Sequence, residues 1–206
     1  MRRQNDRYLS RGAQMKIGIL GGTFNPPHIG HLITAEKVRT ELGLEKIIFI
    51  PSFISPHKQE GESALSLHRL AMIRLAVADN PYFECSDIEV TNKETSYTLH
   101  TLEQLHKNHP NDSFFLIIGM DNYLTFHLWK EPAKVLDLAT LVVMNRPGYP
   151  KQVNEIVRTR NTQFIEVPNI DISASEIRSM VAAKRSIRYI VPDGVEEYIA
   201  THTLYR

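Results

Sequence analysis

Residues 21–31 read GGTFNPPHIGH, and most positions in that stretch have a use in handling phosphate. Gly21 and Gly22 allow a tight turn and a close backbone approach to a ligand. Thr23, Phe24 and the residues after them offer main-chain N–H groups to phosphate oxygens. Pro26 and Pro27 stiffen the loop, so less ordering is required on binding. His31 stands where a helix is expected to begin, the end that carries about half a positive charge and several free N–H groups. His28 and His31 are close enough in sequence to face one triphosphate. In nucleotidyl transfer the protein need form no bond, so positioning and charge neutralisation carry the catalysis. Two imidazoles suit that task, donating hydrogen bonds as charge grows on the α-phosphate and the departing pyrophosphate. The same residues have plainer readings. A His near a turn often caps a helix or faces solvent, and a His pair can bind a metal. No Cys or carboxylate accompanies the pair in the loop, which speaks against zinc. GxGxxG is absent, and no Gly-Lys-Ser/Thr follows, so neither a dinucleotide fingerprint nor a Walker loop is present.

A second segment, Ile172 to Arg178 (ISASEIR), has complementary chemistry. Ser173 is placed as a helix N-cap, with Ser175 and Glu176 in the first turn beside free N–H donors. Arg178 brings a permanent charge and a fixed fork of donors, suited to a β- or γ-phosphate. Read alone, the segment is equally a capping box between Ser173 and Glu176.

Both segments need elements to position them. Lys16–Leu20 is an apolar run stopped by Gly21-Gly22, as expected for a buried strand. Leu32, Ala35, Val38 and Leu42 recur at helical spacing, and Gly43 stands at a C-cap position. Lys46–Ile50 reads as a strand. Ser66–Ala78 reads as a helix with Leu67, Leu70, Ile73 and Val77 on one face and Arg69 and Arg74 elsewhere. Further strands are expected at Glu84–Val90, Phe114–Ile118, Thr140–Met144 and Gln163–Val167. Further helices are expected at Thr98–Lys107, Ser173–Ala183 and Pro192–Thr201. Strands alternating with helices imply an α/β fold: one doubly wound, Rossmann-like parallel sheet with helices on both faces, and ligands at the carboxyl ends of its strands.

At 206 residues one domain suffices, able to bury about 70% of the surface of the unfolded chain. The expected division is a disordered tail over residues 1–14 and one domain over 15–206. The 24 Lys and Arg against 23 Asp and Glu argue against a basic nucleic-acid binder. The single cysteine, Cys85, excludes an intramolecular disulfide framework and fits the cytoplasm. No apolar run approaches the roughly 20 residues that span a bilayer.

Taken together these motifs resemble one family. GGTFNPPHIGH resembles the GGTFDPPHxGH signature of bacterial nicotinate-nucleotide adenylyltransferases, within the HxGH nucleotidyltransferase superfamily, and ISASEIR resembles their ISSTxIR. HxGH alone is shared with cytidylyltransferases and pantetheine-phosphate adenylyltransferases, so the longer match carries the specificity. Pro51–Lys58 (PSFISPHK) resembles the family's PxxxPPHK, Ser96-Tyr97-Thr98 its SYT, Gly119-Met120-Asp121 its GxD, and Asn145–Tyr149 its RPGY. The resemblance spans Met15 to Tyr205. It implies transfer of AMP from ATP, carrying Mg²⁺, to nicotinate mononucleotide, with nicotinate adenine dinucleotide (deamido-NAD) and pyrophosphate as products. His28, His31 and Arg178 would be catalytic. Gly22, Thr23, Phe24, Gly119, Asp121, Arg146, Ile172, Ser173 and Ser175 would hold ATP. Lys58, Tyr97, Thr98, Trp129 and Lys130 would hold the acceptor, with the ring on Trp129 and its carboxylate at the helix opened by Tyr97-Thr98. No protein metal site, nucleic acid or membrane partner is implied. Outside that context Lys58 reads as solvated surface, Asp121 as a turn residue and Trp129 as core. The chain departs from the family at Asn25 (usually Asp), Ser55 (Pro), Lys130 (often Tyr) and Ala174 (commonly Ser). Rival readings are an adenylyltransferase for nicotinamide mononucleotide or pantetheine phosphate, and a nucleotide-binding regulator without turnover.

Overall fold

Six short strands, the four longest of them largely buried apolar runs, form one parallel sheet. The structure, a computed structural model, describes residues 14–53, 66–92, 96–145 and 161–206. Within these lie strands β1 (Lys16–Gly22), β2 (Lys46–Pro51), β3 (Phe83–Cys85), β4 (Ser113–Gly119), β5 (Thr140–Met144) and β6 (Thr162–Ile165). The helices are α1 (Ile29–Leu42), α2 (Ser66–Val77), α3 (Ile88–Asn92), α4 (Thr98–Asn108), α5 (Met120–Leu124), α6 (Pro132–Leu138), α7 (Ala174–Ala182) and α8 (Asp193–Thr201). The strand order is β3-β2-β1-β4-β5-β6, every pair parallel. The order reverses between β1 and β4, so a crevice opens past the carboxyl ends of those two strands. Met15 and Gln14 are already tied to the domain, by bonds to Asp112 and Ser113.

Alternation along the strands divides the core between two faces. Ile17, Ile19, Ile48 and Ile50 pack with Leu99, Leu102 and Leu105 of α4. Leu20, Ile47 and Phe49 pack with Ala35 and Val38 of α1 and with Ile73 and Val77 of α2. Each such fully buried side chain contributes about 1.5–3 kcal/mol. A third cluster, with Met72, Ala76, Ile177, Val195 and Ile199, fastens α7 and α8 to the back of α2. Gly43 ends α1 at φ 60°, its N–H on Arg39 O, in the left-handed region where a Cβ is unfavourable.

Several elements differ from the sequence reading. The expected strand 84–90 ends at Cys85, because Ser86 Oγ accepts the Ile88 N–H and Asp87 O accepts the Thr91 N–H, starting α3 instead. β6 stops at Ile165 because Val167 bonds to the Asn145 side chain, N–H to Oδ1 and O to Nδ2. On α2, Leu67 is 68% exposed and Arg69 only 2% exposed, the reverse of the expected face. α2 is covered on two sides, and Arg69 lies in phase with Met72, Ile73 and Ala76, all buried. Helices α5 and α6 were not anticipated. Among the described residues no helix is long and apolar enough to cross a membrane.

Candidate active site

β1 releases the chain at Gly22, and Phe24 turns it in the left-handed region (φ 50°) before Asn25, whose peptide bond to Pro26 is cis. The Phe24 ring, 4% exposed, then anchors the loop in the core and sets its edge against His31 at 5.1 Å between ring centroids. His28 is the N-cap of α1, so the helix begins two residues earlier than the sequence suggested. Its main-chain N–H donates to Nδ1 of His31 at 3.1 Å, and the two imidazoles stack at 3.7 Å. Gly30 gives that stack room, since a Cβ there would lie 3.0 Å from His28 Nδ1. Because Nδ1 of His31 accepts a hydrogen bond, the ring's proton sits on Nε2. Burial lowers the His28 pKa from 6.5 to about 4, so this ring is neutral at neutral pH. Its Nδ1 is buried and makes no hydrogen bond among the described residues.

The ISASEIR segment reaches the same loop. Ser173 caps α7 as expected, accepting the Glu176 N–H at 3.1 Å. One turn on, Arg178 donates through Nη1 to Asn25 O at 3.0 Å and through Nη2 to Ser175 Oγ at 3.3 Å. Among the described residues two of its five donors are thus engaged. Ile29 N–H, at the start of α1, donates to Ile190 O in the turn before α8. Ile172, half buried, packs into the cluster that holds α7 to α2. His28, His31, Ser175 and Arg178 therefore gather around residues 23–25, although 153 residues separate Arg178 from Asn25.

Gly119 ends β4 and caps α5, two residues past the Leu20–Ile117 pair just as Gly22 is. Asp121, in the first turn of α5, thereby lies at the carboxyl end of the strand next to β1, with Oδ1 buried. On the other side Tyr97 and Thr98 open α4. Lys130 joins them, its Nζ 4.6 Å over the Tyr97 ring and 2.9 Å from His100 Nε2. Trp129 stacks against Phe126 at 5.0 Å, with Nε1 buried and unbonded among the described residues. Lys58 and Arg146 lie outside the described residues.

Arg69 and Tyr205 were not singled out from sequence. Arg69 donates to Thr23 O at 2.9 Å and Phe53 O at 3.0 Å, while Ser96 Oγ accepts the Phe53 N–H. It thus ties the loop after β1 to the end of β2 and on to the SYT segment. The available signal was its helical phase with three apolar residues. Burial lowers its pKa from the ordinary guanidinium value. Tyr205 Oη donates to Asn25 Oδ1 at 2.7 Å.

An open parallel sheet of this order, with a histidine loop and an arginine meeting at its switch point, defines a nucleotidyltransferase-type site, and comparison with known proteins agrees. The cytidylyltransferase-like family matches residues 19–180. A nicotinate-nucleotide adenylyltransferase of Syntrophotalea carbinolica is 42% identical, over 93% of this chain and 98% of its own length. One of Roseiflexus is 43% identical over 92% and 98%. The solved Plasmodium falciparum nicotinic acid mononucleotide adenylyltransferase complexed with NaAD shares the fold, with TM-score 0.76 at 19% identity over 93% of this chain and 98% of that one. The chain belongs to the cytidylyltransferase-like family and, within it, to the nicotinate-nucleotide adenylyltransferases.

Proposed function

We propose that this protein transfers the adenylyl group of ATP to nicotinate mononucleotide, releasing pyrophosphate and nicotinate adenine dinucleotide. The observation that carries this is the Arg178–Asn25 bond, which sets a guanidinium beside the histidine loop at the mouth of the crevice. ATP lies with its triphosphate between that loop and α7, its β- and γ-phosphates against Arg178 and the cap residues Ser173 and Ser175. An oxygen of the acceptor's 5′-phosphate attacks the α-phosphorus in line, and the bond from that phosphorus to the bridging oxygen of pyrophosphate breaks. The nucleophile is already an anion at neutral pH, so no side chain need take a proton. The histidines serve as donors: His31 Nε2–H stabilises charge developing on the α-phosphate and the leaving group.

Around residues 23–25 the described side chains include no carboxylate, and the oxygens of Thr23, Asn25 and Ser175 already accept hydrogen bonds, a poor set for a hard cation. Mg²⁺ arriving with ATP would be held chiefly by phosphate oxygens and water, and would supply charge neutralisation there. On the acceptor side the N–H groups at the start of α4 take the carboxylate of the ring, with Tyr97, Trp129 and Lys130 bounding the pocket and Lys58 reaching the phosphate. Asp121 takes the nucleoside side. The reaction runs in the cytoplasm.

The test is pyrophosphate release with ATP and Mg²⁺, each mononucleotide offered separately. Nicotinate mononucleotide should be turned over at least ten times faster than nicotinamide mononucleotide, about 1.4 kcal/mol of discrimination. Equal rates would remove carboxylate recognition, and no turnover of either would leave a nucleotide-binding regulator.

A further inference from the structure

The turn after α8 bends back to the phosphate loop through two non-glycine residues in left-handed backbone, Thr203 at φ 55° and Tyr205 at φ 63°. β-branched and bulky residues occupy that region only where the surroundings impose it. The bend brings the Tyr205 hydroxyl to Asn25 Oδ1, across 180 residues of sequence. Asn25 is 5% exposed, follows the left-handed Phe24, and already gives its carbonyl to Arg178. It is the junction of the site: one side-chain bond and one main-chain bond reach it from two separate elements. The Tyr205 ring is anchored independently, packed among the apolar residues of α2, α7 and α8. Burial raises the phenol pKa, so the hydroxyl stays protonated and donates.

We propose that Tyr205 is a positioning residue, whose hydroxyl acts through Asn25 to hold residues 23–25 at the spacing from Arg178 that the triphosphate requires. This rests on the adenylyl-transfer reading. It does not make Tyr205 catalytic, since its bond is spent on Asn25.

Tyr205→Phe in the full chain removes the hydroxyl and keeps the ring. The expected result is a roughly tenfold fall in kcat, the equivalent of one lost hydrogen bond. KM for ATP should rise about threefold and KM for the mononucleotide stay within about twofold, with the melting temperature within about 4 °C of wild type. A hydroxyl that serves stability alone would lower the melting temperature and leave kcat of the folded enzyme intact, which would overturn the proposal. Asn25 provides an arm that leaves the ring untouched. Asn25→Ala should lose about as much kcat as Tyr205→Phe, Asn25→Asp should recover most of it by keeping an acceptor oxygen, and combining Asn25→Ala with Tyr205→Phe should cost no more than the worse single change. Additive losses, or no recovery by Asn25→Asp, would overturn it. Should the wild-type chain turn over no mononucleotide, adenylyl transfer itself has failed. The clamp is then read from a non-hydrolysable ATP analogue, whose Kd should weaken about threefold in Tyr205→Phe. An unchanged Kd would overturn the clamp alone.

Discussion

With Nδ1 of His31 occupied by the His28 N–H, the ring's proton is fixed on Nε2, and the Phe24 ring packs against the same imidazole. A donor held in place before reaction is worth most where charge develops late, so His31→Ala should lower kcat by roughly 10²–10³. Steady-state pyrophosphate release checks it, and a loss under about threefold in a folded variant excludes the role. His28 makes a different prediction, about stability. Its folded pKa is about 4 against 6.5 for the ordinary imidazole. Above pH 6.5 both folded and unfolded states are neutral and stability is complete. Between 6.5 and 4 only the unfolded chain takes up the proton, and stability falls by about 1.4 kcal/mol per pH unit, to a total of roughly 3 kcal/mol. Urea unfolding at pH 7.5 and 5 should show this extra loss in wild type and not in His28→Gln. Equal pH dependence of the two would mean that His28 is protonated in the fold.

At the scale of elements, the loops rather than the strands decide whether the site exists, and Arg69 is where α2 enters it. Arg69→Met keeps the apolar stem but leaves Thr23 O and Phe53 O without their donor, which should destabilise the fold by about 2–3 kcal/mol in urea unfolding. A change within about 0.5 kcal/mol would mean that other donors satisfy those carbonyls. This residue also shows what could be read beforehand. The strands and the larger helices follow from apolar runs and period, because each of those signals is local. Ser173 as a cap and Gly43 at the end of α1 were legible for the same reason. Arg69 was misassigned because α2 is buried on two sides, so its apolar period does not single out one face. Helices α5 and α6 were missed because each is short, although Pro132 at the first position of α6 was a usable signal. The role of Tyr205 is not legible locally, since the partner of its hydroxyl lies 180 residues away.

For the molecule as a whole, ATP bridging the histidine loop and α7 should act as a tie between the first strand and the last helices. Ligand at 100 times its Kd stabilises by about 2.7 kcal/mol, which for a chain of this size is a rise of roughly 5–10 °C in melting temperature. Arg178→Met should fold and lose most of that rise in a thermal-shift measurement. An undiminished rise would mean that the phosphates lie elsewhere. The same long-range bonds carry a consequence for biosynthesis. A ribosome adding about 5–20 residues per second makes the phosphate loop many seconds before the residues that fix it. The partners of Asn25, Arg178 and Tyr205, are translated 153 and 180 residues after it. A nascent chain can therefore complete most of its sheet while its phosphate loop still lacks both of those partners, and competence for ATP waits until they have been added.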